Sequence, residues 1–131
     1  MAQKSFTAAV DEWVRATEQR MLAVFRTSAQ YVIDDIVDRT PVDTGFLRAS
    51  LTVRTGEPEP MSRERPEDAS GVPIPSYDLA LAGADLGDVV YATFAANYAA
   101  HVEYGAGGRS GAGMVRLAAQ AWPQHVSRAT A

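Results

Sequence analysis

The chain has 131 residues, a formal net charge of −4 and no cysteine. This length fits a single domain, residues 1–131, that buries roughly two-thirds of its unfolded surface. The composition excludes disulfides and thiolate chemistry, and 12 Lys and Arg against 16 Asp and Glu argue against tight nucleic-acid binding, which needs a basic face.

The first 40 residues carry apolar side chains at steps of three and four from Ser5 to Asp38, which predicts one long amphipathic helix. Ser5 or Thr7 can cap its start. Pro41 ends it, because the proline ring pushes the preceding residue out of helical geometry. An alternative is a kink near residues 27–28 that folds the segment back as a helical hairpin.

The length of this helix predicts an interface. About 34 residues span roughly 50 Å, whereas a domain of this size is roughly 35–40 Å across. One end of the helix should therefore overhang its own domain, and its apolar stripe needs cover from another subunit. Trp13 and Phe25 are the large side chains that we expect to carry this contact.

Residues 41–55 predict a turn followed by a strand. Asp43 can bond the backbone ahead of it and Gly45 can adopt a positive φ. Apolar residues then alternate with polar ones from Leu47 to Arg54, the period of a half-buried strand.

Residues 56–76 hold five of the seven prolines and predict an extended loop without regular structure. Its stiff, acidic composition favours an arm that docks onto an adjacent subunit or ring, and limited proteolysis at Arg63 and Arg65 would detect that docking.

Residues 77–105 predict a short helix capped by Ser76, a Gly87-Asp88 turn, and a strand over 89–95. The stretch 98–104 fits either a turn of helix or a short strand. Residues 106–131 then predict a glycine-rich hinge and a C-terminal helix from about Met114, with Leu117, Ala118, Ala121 and Trp122 on one face, which Pro123 kinks or ends.

Three candidate chemistries are disfavoured by the residues around them. Asp43-Thr44-Gly45 matches the aspartic-protease triplet, but that enzyme carries it after an apolar strand, and here it follows the long helix. His101 and Glu103 lack the further ligands that a metal site needs. The segment 105–111 lacks the Gly-Lys-Ser/Thr ending of a phosphate loop. We therefore expect no catalytic, metal or cofactor-binding residues.

Two stretches carry the most specific pattern: Thr40-Pro41-Val42-Asp43-Thr44-Gly45-Phe46-Leu47-Arg48-Ala49-Ser50-Leu51 and Tyr98-Ala99-Ala100-His101-Val102-Glu103-Tyr104-Gly105. Their order resembles the tail-component family of long-tailed phages and prophages, small proteins of the head–tail neck and tail-completion region. Its members read P-V-D-T-G-x-L-R-x-S after a long helix and Y-A-x-x-x-E-x-G later. A helix opened by a small-residue segment follows, as at residues 111–117.

The resemblance implies an α+β fold, with the first and last helices packed on a small, mainly antiparallel sheet and a long Pro-rich loop. It implies a structural virion protein of a phage, prophage or gene transfer agent, assembled in the host cytoplasm. Copies would form a ring around the DNA channel, with sixfold symmetry favoured and twelvefold as the alternative. Adjacent neck and tail proteins would be its partners, DNA would pass without sequence-specific binding, and no membrane is involved.

We expect the subunit interface and the family motif to use Trp13, Phe25, Pro41, Val42, Asp43, Thr44, Gly45, Leu47, Arg48, Tyr98, His101, Glu103, Tyr104 and Gly105. Within this set, Arg48 and Glu103 are predicted to approach each other or a neighbouring subunit. Two other classes stay open: a small aspartic-protease-like homodimer that uses Asp43, and a binding module that uses the long helix.

Overall fold

The computed structural model describes residues 5–41, 46–58, 60, 77–105, 107–108 and 110–131. The predicted turn at Val42–Gly45 and nearly all of the predicted loop, with Arg63 and Arg65, lie outside the described residues. The elements in chain order are α1 Phe6–Arg39, α2 Phe46–Ala49, β1 Leu51–Thr55, α3 Asp78–Ala82, β2 Val90–Phe94, α4 Ala99–Tyr104, α5 Met114–Gln120 and α6 Trp122–Thr130.

Helix α1 is continuous for 34 residues, so the alternative of a helical hairpin is wrong. Its start is capped by Ser5, whose Oγ accepts a hydrogen bond from the backbone N of Ala8 at 3.1 Å. Its end is set by Thr40, which is extended with ψ of 122° ahead of Pro41, as the sequence predicts. At 1.5 Å per residue, α1 is about 51 Å long.

Strands β1 and β2 form an antiparallel pair in which Leu51 lies opposite Phe94 and Thr55 opposite Val90. The pair is extended at one end by the backbone N of Ala95, which donates to the carbonyl of Ser50 at 3.0 Å. A two-stranded sheet is marginal in water by itself. The β1–β2 pair is stabilised in this fold because Leu51, at one end of β1, is buried in the core against α1.

The predicted strand began too early. The alternation from Leu47 onward suggested a strand, but residues 46–49 form the helical turn α2, and β1 begins at Leu51. The physical reason is local: both the backbone N and the Oγ of Ser50 donate to the carbonyl of Leu47, at 3.1 and 2.7 Å. A serine that bonds three residues back closes a turn and competes with strand pairing.

The region after the loop is close to expectation. Helix α3 is present, but Tyr77 rather than Ser76 occupies its N-cap position, and Ser76 lies outside the described residues. The side-chain hydroxyl of Tyr77 donates to the carbonyl of Leu51 at 3.2 Å, which ties α3 to β1. The stretch at 98–104, which the sequence left open, is the helix α4.

The predicted C-terminal helix is divided at Ala121 into α5 and α6, with Pro123 in the first turn of α6. The hydrogen bonds of the two helices meet at Ala121, whose N donates to Leu117 O and whose O accepts from His125 N. The predicted shared face is only partly buried: Ala118 is in the core, whereas Leu117 and Trp122 are exposed.

The main hydrophobic core lies between the C-terminal half of α1, the strand pair, α3 and α5. Its buried members are Ala29, Ile33, Ile36, Leu51, Tyr77, Leu81 and Ala118. A second cluster joins α2, α4 and α5 through Leu47, Ala96 and Met114. The fold is thus α+β: a long N-terminal helix and C-terminal helices around a small antiparallel sheet, as predicted.

Candidate assembly surface

The N-terminal half of α1 extends beyond the core and exposes large apolar side chains. From Phe6 to Met21, all residues are exposed except Ala8 and Thr17, which are half-buried. The large apolar residues among them form what we call the N-terminal stripe: Phe6, Val10, Trp13, Val14 and Met21. Phe6 is 84% exposed and Trp13 is 65% exposed. The overhang that the helix length predicted is therefore present, and it carries Trp13.

The stripe is not a simple continuation of the side of α1 that enters the core. At about 100° per residue, it lies roughly a third of a turn from the side formed by the buried Ala29, Ile33 and Ile36. Steps of three and four residues lead from the stripe to Tyr31 and Asp35, so these lie on the same face further along α1.

In the C-terminal half of α1, that same face is covered by α6. The Nε2 atom of His125 lies 3.0 Å from Oδ2 of Asp35, and the Arg128 guanidinium lies 4.0 Å from the centre of the Tyr31 ring. Asp35 also accepts from Nε of Arg39 at 2.8 Å. Among the described residues, α6 covers this face in the C-terminal half of α1, and no element covers it in the N-terminal half.

Electrostatics hold α6 in place through Asp35. Burial raises the pKa of this carboxyl, but the hydrogen bonds and charges of His125 and Arg39 outweigh that effect, and its pKa lies below the ordinary value. Asp35 is therefore a carboxylate at neutral pH and faces cationic or hydrogen-bonding groups on both sides.

The second motif is built around a buried carboxylate. Glu103 on α4 is 6% exposed, and its oxygens accept from the backbone N atoms of Val115 and Arg116, each at 2.9 Å. It thereby caps the first turn of α5, whose own N-cap residue, Gly113, has no side chain to do so. The glutamate of the motif fixes the C-terminal helix to α4.

Arg116 completes this arrangement. Its Nε donates to the Glu103 carboxylate, and its terminal nitrogen donates to the Glu103 backbone carbonyl, both at 2.9 Å. Its guanidinium also lies 4.8 Å from the centre of the Tyr104 ring. Burial raises the pKa of Glu103, but the two backbone N–H groups and Arg116 lower it by more than burial raises it, so the pKa lies below the ordinary value.

Glycines make the close approach between α4 and α5 possible. A Cβ atom at Gly111 would lie 2.3 Å from the backbone oxygen of Glu103, which no side chain could tolerate. Gly105, the last residue of the motif, ends α4 with φ of 94°, a conformation that favours glycine. Next to Gly111, Ala112 N donates a hydrogen bond to Val102 O and Gly113 N donates one to Glu103 O, both on α4. The segment predicted as a hinge is therefore packed against α4 at this point.

The other residues of the second motif divide between core and surface. Tyr98 packs against the second hydrophobic cluster. His101 and Tyr104 are exposed on α4, and because the segment is a helix, His101 and Glu103 point to different sides of it.

The first motif contributes mainly to packing. Leu47 is buried in the second cluster, and Pro41 is exposed beyond the end of α1. Arg48 is half-buried, and its Nε has no hydrogen-bond partner among the described residues. Its charge acts on Tyr77, where burial raises the pKa of the phenol and Arg48 opposes that rise. Val42, Asp43, Thr44 and Gly45 lie outside the described residues.

Two expectations about partners can be compared with the contacts inside one chain, while contacts with a neighbouring subunit stay predictions. Within one chain, Glu103 pairs with Arg116 and not with Arg48, because the N-terminus of α5 and the Arg116 guanidinium already occupy its carboxylate. Phe25 lies on α1 beyond the stripe and is already half-buried within its own chain, so Trp13 is the more available of the two aromatic side chains.

Sequence reasoning missed Arg116 and the Asp35–His125 contact. Arg116 is 13 residues from its partner across a glycine-rich turn, which is beyond the reach of helical or strand spacing. The only signal was the absence of a Ser, Thr, Asp or Asn cap before Met114, since an uncapped helix start needs an acceptor from elsewhere.

Among the described residues, no group of His, Cys, Asp and Glu side chains is arranged to hold a metal ion. In the same part of the chain, no helix has the length and apolar character to cross a membrane. Comparison with protein-family models, with curated proteins and with solved structures finds no match in any of the three.

Proposed function

We propose that this protein is a structural subunit of a phage or phage-like particle, and that its copies form a ring around the DNA channel at the head–tail junction. The observation that carries the proposal is the bare apolar face on the overhanging half of α1. Exposed apolar patches of this kind mark contacts between proteins. A subunit that works alone would have no need to expose Phe6 and Trp13 on a projecting helix.

The two sequence motifs support the same proposal. The glutamate and glycine of the second motif serve to join α4 to α5, a role in architecture. The overall charge of −4 suits a channel through which DNA must slide, because an acidic lumen repels phosphates. Sixfold symmetry is the favoured arrangement and twelvefold the alternative, with adjacent neck and tail proteins above and below the ring.

Gene deletion in a strain that produces the particles tests this proposal. Electron microscopy of the lysate should then show filled heads and separate tails, and a plasmid copy of the gene should restore joined particles. A matched Trp13→Ala copy should restore them poorly although the subunit still folds, because Trp13 is exposed in the single chain. Normal joined particles without the gene would overturn the proposal.

A further inference from the structure

A second exposed apolar area lies on the C-terminal helices. Val115 and Ala119 are exposed four residues apart on α5, and Trp122 follows three residues later at the start of α6 and is 41% exposed. We call these three residues the C-terminal patch. The spacing of four residues brings Val115 and Ala119 to one side of α5. Trp122 follows directly after the junction at Ala121, where Ala121 N donates to Leu117 O and His125 N donates to Ala121 O.

The patch and the N-terminal stripe lie toward opposite ends of α1. Helix α6 runs antiparallel to α1, because His125 meets Asp35 while Arg128, further along α6, meets Tyr31, earlier on α1. Trp122 therefore lies toward the C-terminal end of α1, and the stripe occupies the N-terminal end. Two apolar surfaces at opposite ends of one subunit suit a head-to-tail contact.

Charge favours the same pairing. The segment from Phe6 to Met21 holds three acids and two arginines, a net charge of −1. From Ala99 to Ala131 the sequence holds one acid, Glu103, which pairs with Arg116, and three arginines, at positions 109, 116 and 128, a net charge of +2. Two stripes in contact would bring like charges together, whereas a stripe on a C-terminal patch brings opposite charges together.

The exposed apolar area fits a weak contact that the ring repeats. An aromatic side chain offers roughly 150–250 Å², so Phe6 and Trp13 together present roughly 300 Å² at their observed exposures. Val10, Val14 and Met21 add to this, whereas the patch offers less, with Trp122 41% and Val115 39% exposed. A contact of this size lies below the roughly 1,000 Å² of a stable interface, and closure of the ring adds the contacts together.

We propose that the N-terminal stripe of one copy packs on the C-terminal patch of the next copy. The inference rests on the proposed ring, and it names the surfaces that would join neighbouring subunits. The contact is heterologous, so each added copy leaves one stripe and one patch free until the ring closes.

Disulfide trapping tests this contact, and the cysteine-free chain makes each introduced thiol unambiguous. Val10, in the stripe, and Ala119, in the patch, are both exposed, so cysteine there should not disturb folding. After mild oxidation, the double variant V10C/A119C should run on a non-reducing gel as a ladder of dimers, trimers and larger species. An equal mixture of the two single variants should stop at dimers.

Matched controls define the result. V10C/A100C, with its second thiol on the exposed Ala100 of α4, should give no ladder. Adding Trp13→Ala to the V10C/A119C variant should reduce the ladder roughly tenfold or more, as expected for an aromatic residue at the centre of an interface.

The outcomes separate this inference from the proposed function. Dimers from V10C alone would overturn it, because they would show stripe against stripe. Rings seen by electron microscopy without a ladder would also overturn it while leaving the ring proposal standing. A ladder that continues past twelve copies without a limit would support the contact and remove the closed ring.

Discussion

Replacement of Glu103 is the sharpest test of how the second motif holds the fold together. In Glu103→Ala, the backbone N atoms of Val115 and Arg116 lose their acceptor, and α5 loses the only cap that the described residues give it. Arg116 loses a partner as well, but its side chain is 51% exposed and can turn to water.

The expected magnitude follows from these contacts. A lost helix cap costs about 0.5–2 kcal/mol, and hydrogen bonds to a charged acceptor contribute about 1.5–3 kcal/mol each before hydration of the freed groups offsets part of the loss. We expect Glu103→Ala to lower the free energy of unfolding by about 2–4 kcal/mol. Glu103→Gln keeps one acceptor oxygen and should lose about half as much.

Urea unfolding followed by circular dichroism provides the assay, at one fixed protein concentration because self-association would shift apparent stability. The control is Glu57→Ala, which removes an exposed carboxylate that lies 3.4 Å from Arg54 and should change stability by less than about 1 kcal/mol. If Glu103→Ala unfolds within about 0.5 kcal/mol of the wild type, the capping role assigned to Glu103 is wrong.

Three further predictions use the same measurements. Gly111→Ala should destabilise the fold by about 1–3 kcal/mol or more, because its Cβ would overlap the Glu103 backbone. The control Gly83→Ala meets only ordinary contacts at 3.7 Å and should be nearly neutral. Equal effects of the two substitutions would contradict the packing of Gly111. Trp13→Ala should leave the unfolding midpoint of the free subunit unchanged, because Trp13 is exposed. Phe25 is half-buried, so Phe25→Ala should lower the free energy of unfolding by about 1–2 kcal/mol. A larger loss of stability from Trp13→Ala than from Phe25→Ala would contradict the exposure of the stripe. The pKa values of Asp35 and Glu103 lie below their ordinary values of 3.8 and 4.5, so both carboxylates stabilise the fold above those ordinary values, and this stability is lost as the pH falls through the lowered pKa values. Asp35→Asn should weaken the loss of stability in acid. An unchanged profile of stability against pH would count against the Asp35 contacts.

Long-range periodicity made α1 and β2 predictable from sequence. The apolar steps of α1 persist over 34 residues, and no Gly or Pro interrupts them, so local spacing and final structure agree. The overhang followed from length alone, because a helix of about 51 Å cannot fit across a domain of this size.

The structure of the shorter segments depends on hydrogen bonds that the spacing of apolar residues does not reveal. Leu47 and Leu51 are four residues apart, which suits a helical turn as well as alternate positions of a strand. The hydrogen bonds from Ser50 to the Leu47 carbonyl stabilise the helical turn. The buried carboxylate of Glu103 found its partner 13 residues away, through a turn that only Gly111 allows. The sequence suggested charge pairing between the two motifs, but within the chain the Glu103 carboxylate accepts from the backbone N–H groups at the N-terminus of α5 instead.

Cryo-electron microscopy of the neck of particles from the source strain tests the central proposal most directly. The account predicts a ring of six copies, or twelve, at the head–tail junction, in which each 34-residue α1 appears as a long rod whose N-terminal half contacts the next copy. A complete neck that contains no such helix, with the protein found only outside the particles, would contradict it.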